Sequence, residues 1–153
     1  MALRIGQLIT NDSRPIAIHM DDPVLHAVRV MNDEAVGSVL VLGPNDDLVG
    51  IFTERDVLTR VIEGRCSAHD TSVAEVMTPT PLTVDHQTPL DEAHSLMRLH
   101  GVAHLPVVKD GEVIGVVALR DVRSAMALAL TYENRALRGY IHGPVARASE
   151  SFF

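Results

Sequence analysis

The sequence predicts an α+β fold in which two β-α-β-β-α units pack against each other with pseudo-twofold symmetry. Three observations predict it: an internal repeat covering most of the chain, short strands that are almost continuously apolar, and helices with a single apolar stripe. Setting Pro23 on Pro89, an offset of 66, places Pro15 on Pro81, Ala27 on Ala93, Met31 on Met97, Val36 on Val102 and Val41 on Val107. One extra residue in the first copy (G-P-N-D-D against K-D-G-E) lowers the offset to 65, and Gly50 then meets Gly115. Arg55-Asp56-Val57 likewise meets Arg120-Asp121-Val122, and a lead-in, I-G-Q-L-I-T at 5–10, resembles V-A-E-V-M-T at 73–78. The chain thereby divides into a first repeat at 5–64, a linker at 65–72, a second repeat at 73–127, and a helical extension and tail at 128–153.

Each unit opens on a short apolar strand, 16–18 and 82–84. Asp22-Pro23 and Thr88-Pro89 follow, an N-cap residue with proline in the first helical turn, where a missing N–H costs nothing. Val24, Ala27, Val28 and Met31, like Leu90, Ala93 and Met97, recur at the spacing of an amphipathic helix. Hairpins come next, 38–42 with 48–52 and 105–108 with 113–117, their turns carrying N-D-D and D-G. A second helix starts near Thr53 in one copy and near Ala118 in the other. Neither half alone buries enough surface, so the pair is the functional unit. The polar linker is expected to be mobile. Residues 128–142 read as a further helix stopped by Gly143-Pro144, packed on its own module or forming a dimer seam or partner site, and 146–153 as a loose tail.

Composition excludes several classes. With 153 residues, 46% hydrophobic and 22% charged, the chain is globular and long enough for a real core. The 13 Lys+Arg against 20 Asp+Glu leave a formal charge of −7, with Lys109 the only lysine, so neither nucleic acid nor an anionic membrane surface finds a basic face. A single cysteine, Cys66, rules out an internal disulfide and a Cys-based zinc finger. The polar N-terminus is unlike a signal peptide, and the longest apolar run, 113–119, is far too short to span a membrane. A soluble, cytoplasmic protein is expected. The eight histidines show no H-E-x-x-H or H-x-H spacing, so no metal site is expected. No catalytic triad, carboxylate pair or glycine-rich phosphate loop is apparent, so an enzyme is the weakest reading.

The sharpest feature is Gly50-Ile51-Phe52-Thr53-Glu54-Arg55-Asp56, echoed by Gly115-Val116-Val117-Ala118-Leu119-Arg120-Asp121. Each lies where a buried strand becomes a helix. T-x-x-D at such a place reads as a capping box, with the hydroxyl on an orphan N–H. Ala118 cannot cap, yet Arg120 and Asp121 remain beside it. The second reading is therefore a ligand: a carboxylate accepts both hydroxyls of a ribose, and a neighbouring arginine meets phosphates.

The duplicated unit ending in G-h-h-[ST]-x-x-D resembles a pair of cystathionine-β-synthase (CBS) domains, together a Bateman module; Thr10, Thr78 and the H-L-P-V-V stretch at 104–108 match as well. The resemblance implies binding of AMP, ADP, ATP, S-adenosylmethionine or a dinucleotide in two clefts between the repeats, with a homodimer and a regulated partner protein of unknown identity. In cleft one it puts Asp56 on the ribose with Thr53 assisting, Thr78, Thr80, Pro81 and Leu82 around the adenine, and Arg120 reaching across to the phosphates. In cleft two it puts Asp121 on the ribose, Thr10, Pro15 and Ile16 around the base, and Arg55 and His104 at the phosphates. Ala118 removes a hydroxyl from cleft two, which ranks cleft one first. The alternative is an unliganded structural or dimerisation module.

Overall fold

The two copies exchange their lead-in segments, and this exchange shapes everything between them. The computed structural model describes residues 3–142, with side chains described for these except Asp12 and 138–142. The first copy runs β1 (Ala17–His19), α1 (Val24–Glu34), β2 (Ser38–Leu42), β3 (Leu48–Thr53) and α2 (Glu54–Asp56), continued by a π-helical turn at Val57–Ile62. After the lead-in helix α3 (Val73–Val76) come β4 (Thr78–Pro79), β5 (Val84–Asp85), α4 (Leu90–His100), β6 (His104–Lys109), β7 (Glu112–Ala118) and α5 (Leu119–His142). β1 and β5 pair parallel with β2 and β6, and β2–β3 and β6–β7 are antiparallel hairpins. Both hairpins shift register at matched steps, Val41/Leu42 and Val107/Val108. The architecture is α+β, as the repeat predicts.

Backbone hydrogen bonds record the exchange. Val73 and Ala74 donate to the carbonyls of Asp22 and Met20 at 2.8 and 3.0 Å, while Ile5 and Gly6 donate to Thr88 and His86 at 2.8 and 2.9 Å. Donors and acceptors occupy equivalent positions of opposite copies. The side chains follow them. Val73 and Val76 enter the core of Ile18, Val24, Ala27, Val39 and Phe52, and Ile5 enters that of Leu90, Ala93, Met97 and Leu105. Ile5 is wholly buried, and full burial of such a side chain is worth about 1.5–3 kcal/mol.

The helix starts differ from the sequence expectation. Pro23 and Pro89 occupy the N-cap itself, and no side chain among the described residues caps α1 or α4. Asp22 accepts the His19 N–H at 2.9 Å instead. The orphan N–H groups that every helix start presents find carbonyls from the connecting segments: Val24 donates to Thr71 at 2.9 Å, Leu25 to Ala68 at 2.8 Å and Leu90 to Leu3 at 2.8 Å. The expectation of a mobile linker is corrected accordingly. Its carbonyls cap α1, and Cys66 and Ala68 pack on the first core.

Gly50 and Gly115 are where the opposite lead-in crosses a hairpin. A Cβ at Gly50 would meet the Met77 sulfur and lie 3.0 Å from the Thr78 carbonyl; at Gly115 it would lie 2.8 Å from that of Ser13. β4 adds to β3 there, giving a four-stranded sheet β1-β2-β3-β4 beside the three-stranded β5-β6-β7. The corresponding segment of the first copy, Asn11–Ser13, is a 3-10 turn, so β7 gains no such strand among the described residues. α5 packs on the second core as far as Met126, while Leu128, Leu130, Tyr132 and Leu137 are more than half exposed. The stop at Gly143-Pro144 and the tail at 146–153 lie outside the described residues.

Candidate functional site

A strand that ends in the middle of the molecule delivers the start of the next helix there. The Glu54 N–H donates to the Gly37 carbonyl at 3.0 Å, and the Leu119 N–H to the Ala103 carbonyl at 2.8 Å. These matched bonds set each R-D pair beside a cavity walled by both copies. Cleft one, about 380 Å³, is lined by Thr53, Glu54, Arg55, Asp56, Thr59 and Arg60 with Thr78 and residues 100–104. Cleft two, also about 380 Å³, is lined by Thr10, Ser13, Arg14, Ile16 and residues 35–38 with Ala118, Arg120 and Asp121. Both sit within the range of about 300–1,000 Å³ usual for small-molecule sites. Cleft two continues into a wider groove that shares Thr10, Arg14, Ile16, Ala35 and Val36 with it.

The two aspartates stand in opposite conditions. Asp56 is 7% exposed. One of its carboxylate oxygens accepts the Thr53 N–H at 3.0 Å and the Thr53 hydroxyl at 3.2 Å, while that hydroxyl accepts the Asp56 N–H at 3.2 Å. The other oxygen lies 3.6 Å from Arg60 Nε. Arg60 in turn donates to the carbonyls of Met77 at 2.6 Å and Val76 at 3.3 Å, tying the acid to the lead-in that carries Thr78. This is the capping box in full. Asp121 is exposed, and among the described residues it makes no hydrogen bond and no ion pair. Ala118 offers α5 no side-chain acceptor.

His104 lines both clefts. Its Nε2 and Glu54 Oε1 converge on Gly37, where a Cβ would lie 3.0 and 3.3 Å from them. Its Nδ1 is buried and has no hydrogen-bond partner among the described residues. Burial holds the imidazole below its ordinary value, against the pull of Glu54; Arg120 pushes the same way as burial, and Asp121 opposes it.

The remaining predicted residues divide by cleft. Thr53, Asp56 and Thr78 come together in cleft one, and Thr10, Ile16 and Asp121 in cleft two, with His104 in both. Each arginine lines the cleft of its own aspartate: Arg55 is beside Asp56 and Arg120 beside Asp121, not crossed between them. Thr80, Pro81 and Leu82 are not among the walls of cleft one. Thr80 adopts φ 48° and its N–H donates to the Val49 carbonyl at 3.0 Å, and Leu82 packs on the second core. Pro15 is exposed outside the walls of cleft two. Sequence reasoning missed Ser13, Arg14, Ser38 and Arg60. Ser38 was within reach, because the offset of 66 places it on His104.

Together these walls offer carboxylate acceptors for vicinal hydroxyls, guanidinium donors for phosphate and aliphatic faces for a flat base. Cleft two is lined by Arg14, Arg120 and Asp121, with Glu34 in the groove that continues it, whereas cleft one is lined by Arg55, Arg60, Glu54 and Asp56. Arg14 also pairs with Glu34 at 3.3 Å on the surface. Among the described residues, no group of three or more His, Cys, Asp or Glu is placed to hold a metal ion, and no helix is long and apolar enough to cross a membrane.

Comparison with known proteins gives a consistent result. The CBS domain family matches residues 5–63 and 73–128. The CBS domain-containing protein CBSX3, mitochondrial, of Arabidopsis thaliana is 36% identical over 127 residues, covering 80% of this chain and 62% of that protein. The chain spans less than two thirds of the length of the first curated relatives it matches. A crystal structure of a CBS domain superposes with a TM-score of 0.75 at 30% identity, over 83% of this chain and 99% of that one. A CBS domain protein from Pyrobaculum aerophilum complexed with AMP superposes with a TM-score of 0.69 at 24% identity, over 78% and 89% of the two chains.

Proposed function

The chain belongs to the CBS domain family, and from that premise we propose that it is a regulatory module that binds an adenosine phosphate between its two repeats and changes the behaviour of a partner. The observation that carries this reading is Asp121: an exposed carboxylate with no ion pair among the described residues, beside Arg120 in a cavity formed by both copies. Asp121 takes the ribose hydroxyls, Arg120 and His104 face the phosphates, and Thr10 and Ile16 flank the base. Asp56, Arg55 and Thr78 have the corresponding duties in cleft one, where Thr53 holds Asp56. AMP bound to the Pyrobaculum protein supports the ligand class. A ligand that touches both copies favours one placement of the repeats, so regulation is a population shift read out by a partner.

The test is a thermal-shift panel of AMP, ADP, ATP, S-adenosylmethionine and NAD. Ligand at 100 times its dissociation constant adds about 2.7 kcal/mol, which at about 2–4 °C per kcal/mol for a chain of this size raises the melting temperature by about 5–11 °C. No shift with any of them, on folded protein free of carried-over nucleotide, removes the reading. A second reading, self-association without ligand, is favoured by the exposure of Leu58 (65%) and Ile62 (66%) after α2. It predicts a nucleotide-independent dimer in sedimentation velocity that Leu58→Asp disrupts.

A further inference from the structure

We infer that the two clefts fill in a fixed order, cleft two first, because cleft one is latched by its own aspartate. The inference rests on the adenosine-phosphate reading above. The order is the reverse of the one the Thr53 hydroxyl suggests in the sequence.

A ribose approaching Asp56 meets a carboxylate already engaged. Two of its roughly four acceptor positions hold the Thr53 N–H and hydroxyl, and Arg60 stands at 3.6 Å from the second oxygen. The aspartate side chain is 10% exposed, so a ligand must displace protein groups before reaching it. The hydroxyl that looked like an extra ligand contact is the latch. Arg60 holds the latch from behind through the Met77 and Val76 carbonyls, so freeing Asp56 also loosens the lead-in that leads into Thr78.

Cleft two has none of this to undo. Asp121 is exposed and, among the described residues, makes no hydrogen bond and no ion pair, acting on His104 only through its charge, and Ala118 supplies no hydroxyl to close on it. Leu119 stands where cleft one has Glu54, so beside the R-D pair itself cleft two has no counterpart of that carboxylate, and the nearest further acid, Glu34 in the outer groove, is paired with Arg14. The wider groove beyond Thr10 and Arg14 leaves an open path inward. Cleft one then serves as a second, weaker site whose occupation requires breaking the Thr53–Asp56–Arg60 set.

Amide NMR on the wild-type chain, titrated with AMP, tests the order. Amides of Ser13, Arg14 and 118–121 are expected to saturate first, with those of 53–60 moving only at about tenfold higher AMP or more, a separation of about 1.4 kcal/mol. Asp121→Asn removes the first phase. Ala118→Thr, which gives the second copy the hydroxyl of the first, weakens it about tenfold while raising the melting temperature. Simultaneous saturation of both sets, saturation of 53–60 first, or an unchanged first phase in Asp121→Asn overturns the order and leaves the nucleotide reading standing. A folded protein whose amides respond to none of AMP, ADP and ATP overturns that reading and the order with it.

Discussion

Thr53 and Asp56 cap each other, the Thr53 N–H and hydroxyl both donating to one carboxylate oxygen at 3.0 and 3.2 Å, whereas Ala118 and Asp121 at the equivalent places make no such contact. Two copies of one motif have therefore taken different work. In the first the acid stabilises the start of α2; in the second it is left facing the cavity. Removing a Ser or Thr cap typically costs about 0.5–2 kcal/mol. Thr53→Ala is expected to lose that much in denaturant unfolding, and Ala118→Thr to gain a similar amount. Equal stability of wild type and Thr53→Ala would show that the cap contributes nothing.

The exchanged lead-in makes a second prediction. Ile5 stands near the N-terminus, where truncation is usually harmless, yet it is fully buried in the second core. Ile5→Ala is expected to cost about 2–5 kcal/mol, as large-to-small substitutions in a packed core do. The same change at Leu128, 57% exposed on α5, should stay within about 0.5 kcal/mol. A loss at Ile5 no larger than at Leu128 would mean that the lead-in does not dock across the copies.

Helix ends supply a matched pair. α1 ends on Ala35 at φ 54°, and α4 on Gly101 at φ 65°, each with the Schellman bond to the last turn: Val36 to Met31 and Val102 to Met97, both at 3.0 Å. A left-handed conformation costs a residue with a Cβ about 1–2 kcal/mol, partly offset because glycine has more freedom to lose on folding. Ala35→Gly should therefore stabilise by up to about 1 kcal/mol and Gly101→Ala should destabilise by a similar amount. A Cβ at Gly101 meets nothing within 4 Å, so the backbone is the only source of the effect. Urea midpoints of the two variants should move in opposite directions.

Much of this was legible before any coordinates. The offset placed Gly50 on Gly115 and Asp56 on Asp121, and the strand-to-helix switch brought both aspartates to cavities. The sequence did not reveal which copy of a lead-in packs on which core. I-G-Q-L and V-A-E-V have nearly the same pattern, and only the chain path decides where Ile5 goes. Thr80, Pro81 and Leu82 left the cleft for a similar reason, since Thr80 adopts a positive φ and nothing about a threonine foretells that. The role of Arg60 rests on two backbone carbonyls of the other copy, which carry no sequence signal at all. The capping box and the ribose acid were both readable in T-x-x-D. What separated them was the burial of Asp56 against the exposure of Asp121.

His104 gives the pH dependence. Burial is the main cause that holds its imidazole below the ordinary value near 6.5. Glu54 on α2 and Asp121 on α5 pull it up, and Arg120 pushes it down. The folded chain thus binds this proton less readily than the unfolded one. Its neutral form is fully favoured above about pH 6.5; stability falls as pH drops through that value and stops falling below the folded value. Denaturant unfolding between pH 8 and 5 should show that loss, and His104→Gln should flatten it. A bound phosphate beside the ring raises its affinity for a proton, so AMP binding near pH 6, where the AMP phosphate also titrates, should take up more protons in wild type than in His104→Gln, read by calorimetry in buffers of different ionisation enthalpy. Equal proton uptake in wild type and His104→Gln would place the phosphate away from His104, and an unchanged stability slope in His104→Gln would assign the pH dependence to other groups.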